Sequence, residues 1–243
     1  MRQQRGARPT GKADRRSPDA IQSTKCPFDI DLVMQRIRHA ISPFPPAALF
    51  TLAEAGFNSP FELLIACLIS TRTRDEVTLK CARRLFTRAR TPVAMDQLTA
   101  EAIHAAISDC TFHEVKAPQI HAIARRVVAH HGGTLPCDPD LLQSFHGIGP
   151  KCAHLVLGIA CNQPYISVDI HVHRVTNRWG YVHTRAPEGT MVALENVLPQ
   201  QYWIDINRLL VPFGKHICTG SRPRCSTCPV VDMCEQVGVE THR

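Results

Sequence analysis

Two ionisable side chains, Lys151 and Asp169, are of the types that a covalent reaction at a carbon atom requires. Lys151 lies in the first turn of a predicted helix, where the helix dipole and any nearby arginine disfavour the ammonium form and lower its pKa. Only the neutral amine can attack carbon, and Asp169 could stabilise the positive centre that forms. The pair predicts an amine nucleophile with a carboxylate partner. Phosphate contact for Lys151 and helix capping for Asp169 are the alternatives.

Four cysteines near the C-terminus have the spacing of a metal site. They follow the pattern C-x6-C-x2-C-x5-C and are Cys218, Cys225, Cys228 and Cys234. Four thiolates this close predict metal binding, and their spacing leaves zinc and an iron–sulfur cluster open. Arg222 and Arg224 lie between the first two cysteines, which predicts that they contact phosphate. The alternative, a metal site that only stabilises the fold and arginines that have no particular role, is compatible with that prediction.

A glycine-containing turn comes immediately before Lys151. Gly147 and Gly149 lie between a short predicted helix near residues 140–144 and the helix that Pro150 opens. Glycine permits positive φ and bare backbone, so the N–H groups of this turn could approach a phosphate at a helix N-terminus. The arrangement predicts a helix-hairpin-helix that binds the DNA backbone without reading its sequence. A tight connection between two helices is the alternative.

The other seven cysteines are dispersed singly along the chain. They are Cys26, Cys67, Cys81, Cys110, Cys137, Cys152 and Cys161. An odd total of eleven without a secretory signal predicts a reducing, cytoplasmic environment. We therefore expect these seven to remain unpaired and to act as small buried apolar side chains.

The elements that must position these residues are predicted to be helices. Apolar residues recur at helical spacing from Ile30 to Phe213, and Ser59 with Glu62 forms a capping box around Pro60. No segment shows the two-residue alternation of a half-buried strand. The sequence therefore predicts an all-α fold.

The N-terminus is the most charge-biased part of the chain. The formal net charge is +7, and the first 25 residues hold seven Lys or Arg against two Asp. Without periodic apolar residues this segment cannot offset its ordering entropy, so residues 1–27 are predicted to be a disordered basic tail. The tail could attract phosphate or simply be solvated. No apolar run approaches the ~18 residues of a membrane span, so no membrane partner is expected.

Four sequence motifs together resemble the endonuclease III family of DNA glycosylases and abasic-site lyases. They are G-I-G-P-K at residues 147–151, V-D-I-H-V-x-R-V at 168–175, N-R-W-G at 177–180 and the cysteine spacing. The resemblance covers roughly residues 30–234. It implies two lobes: a six-helix barrel at 54–163, and a cluster lobe that joins the N-terminal helix, 28–53, to residues 164–243. It also implies that the cysteines hold a 4Fe-4S cluster.

The same resemblance implies a reaction and a partner. Lys151 matches the family's catalytic lysine and Asp169 its catalytic aspartate. The implied enzyme is a bifunctional glycosylase and lyase that removes oxidised pyrimidines through a lysine Schiff base and cleaves 3′ to the lesion by β-elimination. Its partner is double-stranded DNA with damaged bases or abasic sites. A monomer in the cytoplasm, associated with the nucleoid, is expected.

Several positions depart from the family's usual pattern. Arg72 replaces a glutamine that fills the gap left by the flipped base, a role in which an arginine could also stack. His113 lies in a lesion loop where relatives often show glycine and aromatics, and His146, Cys152 and His154 differ around the hairpin. These departures bear on substrate preference more than on the reaction.

Two other functions remain open at this stage. An adenine-mismatch glycosylase of the same superfamily usually lacks a lysine at position 151 and carries a further C-terminal domain. A non-catalytic DNA-binding or redox-sensing iron–sulfur module would need Lys151 only for affinity. Loss of strand cleavage on removal of Lys151 would separate the enzyme from the module.

Overall fold

The structure, a computed structural model, describes residues 25–243. Its helices are α1 (Ile30–Ile41), α2 (Ala48–Glu54), α3 (Pro60–Ser70), α4 (Asp75–Phe86), α5 (Pro92–Asp96), α6 (Ala100–Ile107), α7 (His113–His131), α8 (Pro139–Gln143), α9 (Pro150–Cys161), α10 (Ile170–Arg178), α11 (Pro187–Val197) and α12 (Asp205–His216). Short 3-10 turns cover Gln200–Tyr202 and Cys225–Thr227. No β-strand occurs within residues 25–243, which confirms the all-α prediction.

Local capping explains where several helices begin. Ser59 accepts a hydrogen bond from the Glu62 backbone N–H, and the Glu62 carboxylate accepts one from the Ser59 backbone N–H at 3.1 Å. Pro60 occupies the first helical position, where its missing N–H costs nothing. The predicted capping box is therefore confirmed, and it fixes the start of the buried helix α3.

A first hydrophobic cluster is built from α2 to α9. Helix α3 lies at its centre, because all of its residues from Phe61 to Ile69 are buried. Helices α7 and α9 pack on α3 and contribute apolar side chains such as Ile120 and Val156. This cluster holds the helix that carries Lys151.

A second hydrophobic cluster combines the N-terminal helix with the C-terminal part of the chain. Helix α1 packs against α12, and α10 packs against both α11 and α12. Trp179 and Phe213 are among its largest fully buried side chains. The segment between α9 and α10 passes from one cluster to the other: Tyr165 packs on the first, and Ile166 is buried in the second. Lys151 and Asp169 thus lie where the two clusters meet.

Two predicted boundaries differ from the structure. Leu49, Phe50 and Leu52 of α2 pack in the first cluster, so residues 48–53 do not accompany α1. At the N-terminus, the Cys26 backbone N–H donates to the Asp232 carbonyl at 2.8 Å and the Lys25 ammonium donates to the Val231 carbonyl at 2.8 Å. Residues 25–27 are therefore anchored and do not belong to a disordered tail. The remaining part of the predicted tail, residues 1–24, lies outside the described residues.

Four of the seven dispersed cysteines are paired, which contradicts the prediction that all seven are unpaired. Cys67 forms a disulfide with Cys152, and Cys137 forms one with Cys161. The packing of α3 on α9 brings Cys67 and Cys152 to a Cα separation of 5.9 Å, which lies within the range for a disulfide. The sequence could not reveal this proximity, because these two residues are 85 positions apart. Cys81 and Cys110 are buried and free as predicted, and Cys26 is exposed.

None of the helices among the described residues is long and apolar enough to cross a bilayer.

Candidate active site and cysteine centre

One pocket between the two clusters contains both predicted catalytic residues. Lys151 and Asp169 line it together with the residues of the loop between α3 and α4. Its volume is about 570 Å³, which is within the usual size of a small-molecule pocket. His171 and Lys215 complete the wall on the side of α10 and α12. The structure thus brings together two residues that the sequence only suggested would be neighbours.

The backbone around Lys151 is fixed by the segment that leads to Asp169. The Ser167 hydroxyl donates to the Lys151 carbonyl at 3.0 Å, and the ring of His154 is 3.0 Å from the Ile166 carbonyl. These hydrogen bonds join α9 to the chain that precedes α10. The nucleophile candidate and its carboxylate partner are therefore positioned by the same two contacts.

Burial is the main influence on the Lys151 amine. It lowers the pKa of Lys151, while the carboxylates of Asp169 and Asp75 act in the opposite direction. The direction agrees with the sequence prediction, but the cause is burial and not the helix dipole or the nearby arginine that the sequence suggested. A desolvated amine with a lowered pKa is the form suited to nucleophilic attack.

Asp169 caps α10 with one of its two carboxylate oxygens. Its Oδ1 accepts hydrogen bonds from the backbone N–H groups of His171 and Val172, both at 2.9 Å. The capping alternative therefore holds, and it does not compete with a catalytic role. Among the described residues no hydrogen-bond donor engages the second oxygen, Oδ2, which leaves it available to the pocket.

Five further ionisable residues line the pocket and received no site role from the sequence: Arg74, Asp75, Glu76, His171 and Lys215. Asp75, at the start of α4, forms an ion pair with Lys215 near the end of α12. His171 lies beside Asp169, and burial lowers its pKa. In the sequence Asp75 is only an acidic residue in a first helical turn, and Lys215 is only a basic residue in a last turn. Their meeting depends on packing between the clusters and has no local signal.

The two glycines of the hairpin have different conformations. Gly147 has φ +88°, and a Cβ there would lie 3.0 Å from the Gln119 side chain and 3.2 Å from Leu68. Gly149 has φ −103° and caps α9, so only Gly147 uses the positive φ that glycine permits. A Cβ on Gly149 would meet nothing within 4 Å. The protein's own packing requires glycine at 147 but leaves the surface at 149 open for another molecule to approach the backbone.

Arg72 and Phe112 extend from two adjacent loops at the edge of the pocket. Both are non-glycine residues with left-handed backbone, at φ 54° and 60°. The guanidinium of Arg72 lies 5.7 Å from the centre of the Phe112 ring, and Phe112 is 49% exposed. This pair presents a flat cation and an aromatic ring to solvent, a combination that suits stacking on nucleic-acid bases.

A buried lysine holds the Arg72 loop in place. The Lys116 ammonium donates to the carbonyls of Ile69 and Thr71, both at 2.7 Å, and to the Thr73 hydroxyl at 3.2 Å. Thr73 in turn accepts a hydrogen bond from the Thr111 backbone N–H at 3.2 Å. Lys116 thus links the loop after α3 to the loop before α7, a role that the sequence did not suggest.

The four clustered cysteines line one pocket in the second lobe. Its other walls include Trp179 and Phe213, and its cavity volume is about 20 Å³. Burial raises the pKa of Cys228 to about 12, and the neighbouring cysteines act in the same direction. Burial likewise raises the pKa of Cys234. Thiolates are unfavourable in this pocket unless a cationic centre compensates them.

Two partly buried arginines of α10 contact the segment that forms the cysteine pocket. Arg178 donates to the Cys218 sulfur at 3.4 Å and to the Thr219 carbonyl at 2.6 Å. Arg174 donates to the carbonyls of Cys218 and Gly214 at 3.0 and 2.8 Å. These contacts connect the pocket directly to the helix that Asp169 caps.

The spacing of the sulfurs distinguishes between the two metal centres left open by the sequence. Sulfurs bound to one tetrahedral zinc ion lie roughly 3.8 Å apart, given Zn–S bonds of about 2.3 Å. Within the described chain, no three of the four sulfurs all lie within 4.8 Å of one another. The four sulfurs are therefore not grouped as they would be around a single bound zinc ion.

Arg222 and Arg224 are exposed on the segment between the first two cysteines. Arg222 has left-handed backbone at φ 45°. Neither guanidinium has a hydrogen-bond partner among residues 25–243, unlike those of Arg174 and Arg178. Both are thus placed to contact an external anion.

Comparisons with known proteins identify similar sequences and folds. Residues 65–200 match the model of the HhH-GPD superfamily of base excision DNA repair proteins. Endonuclease III of Thermotoga maritima is 39% identical over 178 residues, which are 73% of this chain and 84% of that protein. The Escherichia coli K12 enzyme is 35% identical over 182 residues, 75% of this chain and 86% of its own length.

Solved structures of endonuclease III bound to DNA have a similar fold. A non-covalent complex matches with a TM-score of 0.69 and 28% identity, covering 84% of this chain and 96% of the other. A trapped covalent intermediate with DNA matches with a TM-score of 0.68 and 28% identity, covering 84% and 97%.

Proposed function

The chain belongs to the endonuclease III family of base excision DNA repair proteins, and from that membership we propose how its own residues carry out the reaction. It is a DNA glycosylase and abasic-site lyase. We assign the attack on the sugar to Lys151 and the stabilisation of the reacting centre to Asp169. The observation that carries this assignment is their common pocket, in which burial lowers the pKa of Lys151.

The reaction begins on a nucleotide that has turned out of the duplex into the pocket. The Lys151 Nζ forms a bond to C1′ as the bond from C1′ to the base breaks, and the base leaves with the electron pair and takes up a proton. The free Oδ2 of Asp169 stabilises the positive charge on the sugar. Loss of one amine proton and cleavage of the C1′–O4′ bond, with O4′ taking up a proton, then give a ring-opened imine, from which removal of a C2′ proton expels the 3′ phosphate.

The surfaces beside the pocket would hold the DNA. The open backbone at Gly149 suits close approach of a phosphate to the start of α9. Arg72 and Phe112 would occupy the space left in the duplex, because a guanidinium and a ring can both stack on bases. Arg222 and Arg224 would contact the backbone on the side of the second lobe.

A 4Fe-4S cluster is the group we propose for the cysteine pocket, held by Cys218, Cys225, Cys228 and Cys234. The sulfur spacing supports it over a single zinc ion. Such a cluster supplies a rigid, thiolate-ligated centre that fixes the ends of the Arg222–Arg224 segment. Analysis of the purified protein should find iron and acid-labile sulfide in equal amounts, and stoichiometric zinc without iron would contradict the proposal.

The proposed substrate is double-stranded DNA that carries oxidised pyrimidines or abasic sites. The family supports this class, whereas Arg72 and His113 are the residues of this chain expected to alter preference within it. Monomeric state and association with the nucleoid stay predictions from the sequence.

The decisive experiment is borohydride trapping on duplexes with an abasic site or an oxidised pyrimidine. Reduction of the imine should join the wild-type protein covalently to DNA through residue 151. Lys151→Ala should abolish trapping and strand cleavage while DNA binding stays within roughly tenfold, since one phosphate contact is worth about 1 kcal/mol. Lys80→Ala, which removes an exposed lysine of α4, is the matched control and should trap normally. Trapping by Lys151→Ala would refute the assignment.

A further inference from the structure

A group of metal-binding side chains lies in the first lobe, away from the cysteine pocket. His104 comes from α6, whereas His113 and Glu114 come from the first turn of α7. One ligand atom from each of the three lies within 4.8 Å of the other two. In the described part of the chain, this is the one group of three or more such residues that meets that distance.

The two histidine rings are already in contact through one nitrogen each. The His113 Nδ1 lies 2.7 Å from the His104 Nε2, and the ring centres are 4.5 Å apart. The His113 Nε2 lies 3.2 Å from a carboxylate oxygen of Glu114. The histidine side chains are partly buried and the Glu114 side chain is 68% exposed, so an ion could enter from solvent on the side of the carboxylate.

We propose that His104, His113 and Glu114 form a binding site for a divalent transition-metal ion, with Zn²⁺ as the representative ion. Two imidazoles and one carboxylate form a donor set that zinc accepts, and three protein ligands leave a fourth position for water. Imidazole donors favour such ions over Mg²⁺ or Ca²⁺, which prefer oxygen ligands. The site requires no redox step, because each ligand donates only a lone pair to the ion.

Binding would replace the hydrogen that the two rings now share. At 2.7 Å one ring nitrogen must donate and the other accept. Nitrogens bound to one tetrahedral zinc ion lie roughly 3.3 Å apart, given bonds of about 2.0–2.1 Å, so the rings would separate by a few tenths of an ångström. The ion takes the place of the shared hydrogen, and the donating ring carries its proton on its other nitrogen instead, so both histidines bind as neutral imidazoles.

The location gives the site a structural consequence. His104 precedes the connection between α6 and α7, and His113 follows it directly. An ion held by both residues would therefore restrain residues 108–112, which end at the exposed ring of Phe112. The metal site itself does not rest on the proposed DNA chemistry, because its ligands lie outside the Lys151 pocket.

The test is calorimetric titration of the complete, cluster-loaded protein with ZnCl₂ alone. The wild type should show a saturable site that is weakened at least tenfold in His104→Gln and in His113→Gln. Glu114→Gln, on an exposed side chain that folding does not require, should weaken the same site by a smaller factor. His130→Gln, which removes an exposed histidine from the other end of α7, is the matched control and should bind as the wild type does.

Every outcome decides the proposal. Weaker Zn²⁺ binding in the three ligand variants, but not in His130→Gln, supports it. Unchanged Zn²⁺ affinity in His104→Gln and Glu114→Gln would overturn it, as would a wild type that binds no Zn²⁺ beyond its cysteine centre, because the two rings would then be only a hydrogen-bonded pair. The borohydride experiment is independent of these results, since it reports on Lys151.

Discussion

Lys116 and Lys151 belong to the same lobe, and burial lowers the pKa of both, yet their amines have opposite surroundings. Lys116 is 4% exposed and donates three hydrogen bonds to the loop that carries Arg72. Lys151 opens into the pocket, and its amine has no hydrogen-bond partner among the described residues. A lowered pKa therefore does not identify a nucleophile by itself. The lysine without local hydrogen bonds is the one that can bond to a substrate.

The largest expected effect concerns the carboxylate beside Lys151. Asp169→Asn should reduce base release and imine trapping by about 100-fold or more, which is the usual contribution of a group that assists at the reacting centre. Stability should change little, because asparagine also caps helices well. Steady-state cleavage and thermal unfolding would measure the two effects separately.

The control for Asp169→Asn is another N-cap. Asp138 caps α8 by accepting from the Leu141 backbone N–H at 2.8 Å and lies outside the pocket. Asp138→Asn should leave cleavage unchanged. If Asp169→Asn behaved the same way, Asp169 would be a helix cap only.

The second prediction compares the two lysines by stability. Lys116→Met should lower the free energy of unfolding by about 1–3 kcal/mol, because it leaves the carbonyls of Ile69 and Thr71 without their donor. Lys151→Met should not lower it at neutral pH, because it removes a desolvated amine that makes no hydrogen bond. Urea unfolding of both variants gives the comparison. An equal loss in the two would mean that the Lys151 amine is engaged structurally.

The third prediction is a pH dependence whose sign follows from the lowered pKa of Lys151. The unfolded chain keeps the proton up to the ordinary value of 10.5, whereas the folded chain releases it at lower pH. Between the folded and unfolded pKa values the unfolded state binds more protons. The titration of Lys151 therefore makes the free energy of unfolding rise with pH. Any stability advantage of Lys151→Met should therefore shrink as pH rises toward 10.5.

The same titration should appear in the chemistry. The rate of imine trapping by the wild type should rise with pH as Lys151 loses its proton and should level off below pH 10.5. A rate that kept rising up to the ordinary lysine value would contradict the lowered pKa.

The smallest expected effect concerns the two unpartnered arginines. Arg222→Ala or Arg224→Ala should weaken DNA binding a fewfold and reduce the salt dependence of log K by about one phosphate contact. Arg185→Ala, which removes an exposed arginine outside both the pocket and the cysteine segment, is the matched control. Titrations at several salt concentrations would show whether the slopes differ.

Local sequence signals predicted the helices and their caps, because Ser59, Pro60 and Asp169 act through their immediate neighbours. The chemistry of Lys151 and Asp169 suggested that they act as a pair and the family resemblance supported it, but nothing in their spacing fixes the distance between them. Asp75 and Lys215 were missed because they meet across two packed clusters. The Cys67–Cys152 bond was missed for the same reason: helix packing, not local sequence, makes these residues neighbours.

At position 149 the folded protein itself does not require glycine. A methyl group there would touch nothing and would need no unusual torsion angle. Gly149→Ala should therefore not destabilise the isolated protein. It could even raise the thermal stability, because alanine restricts the unfolded chain more than glycine does. If Gly149 makes the proposed phosphate contact, the loss would appear only in DNA binding, so a screen for thermal stability alone would overlook this position.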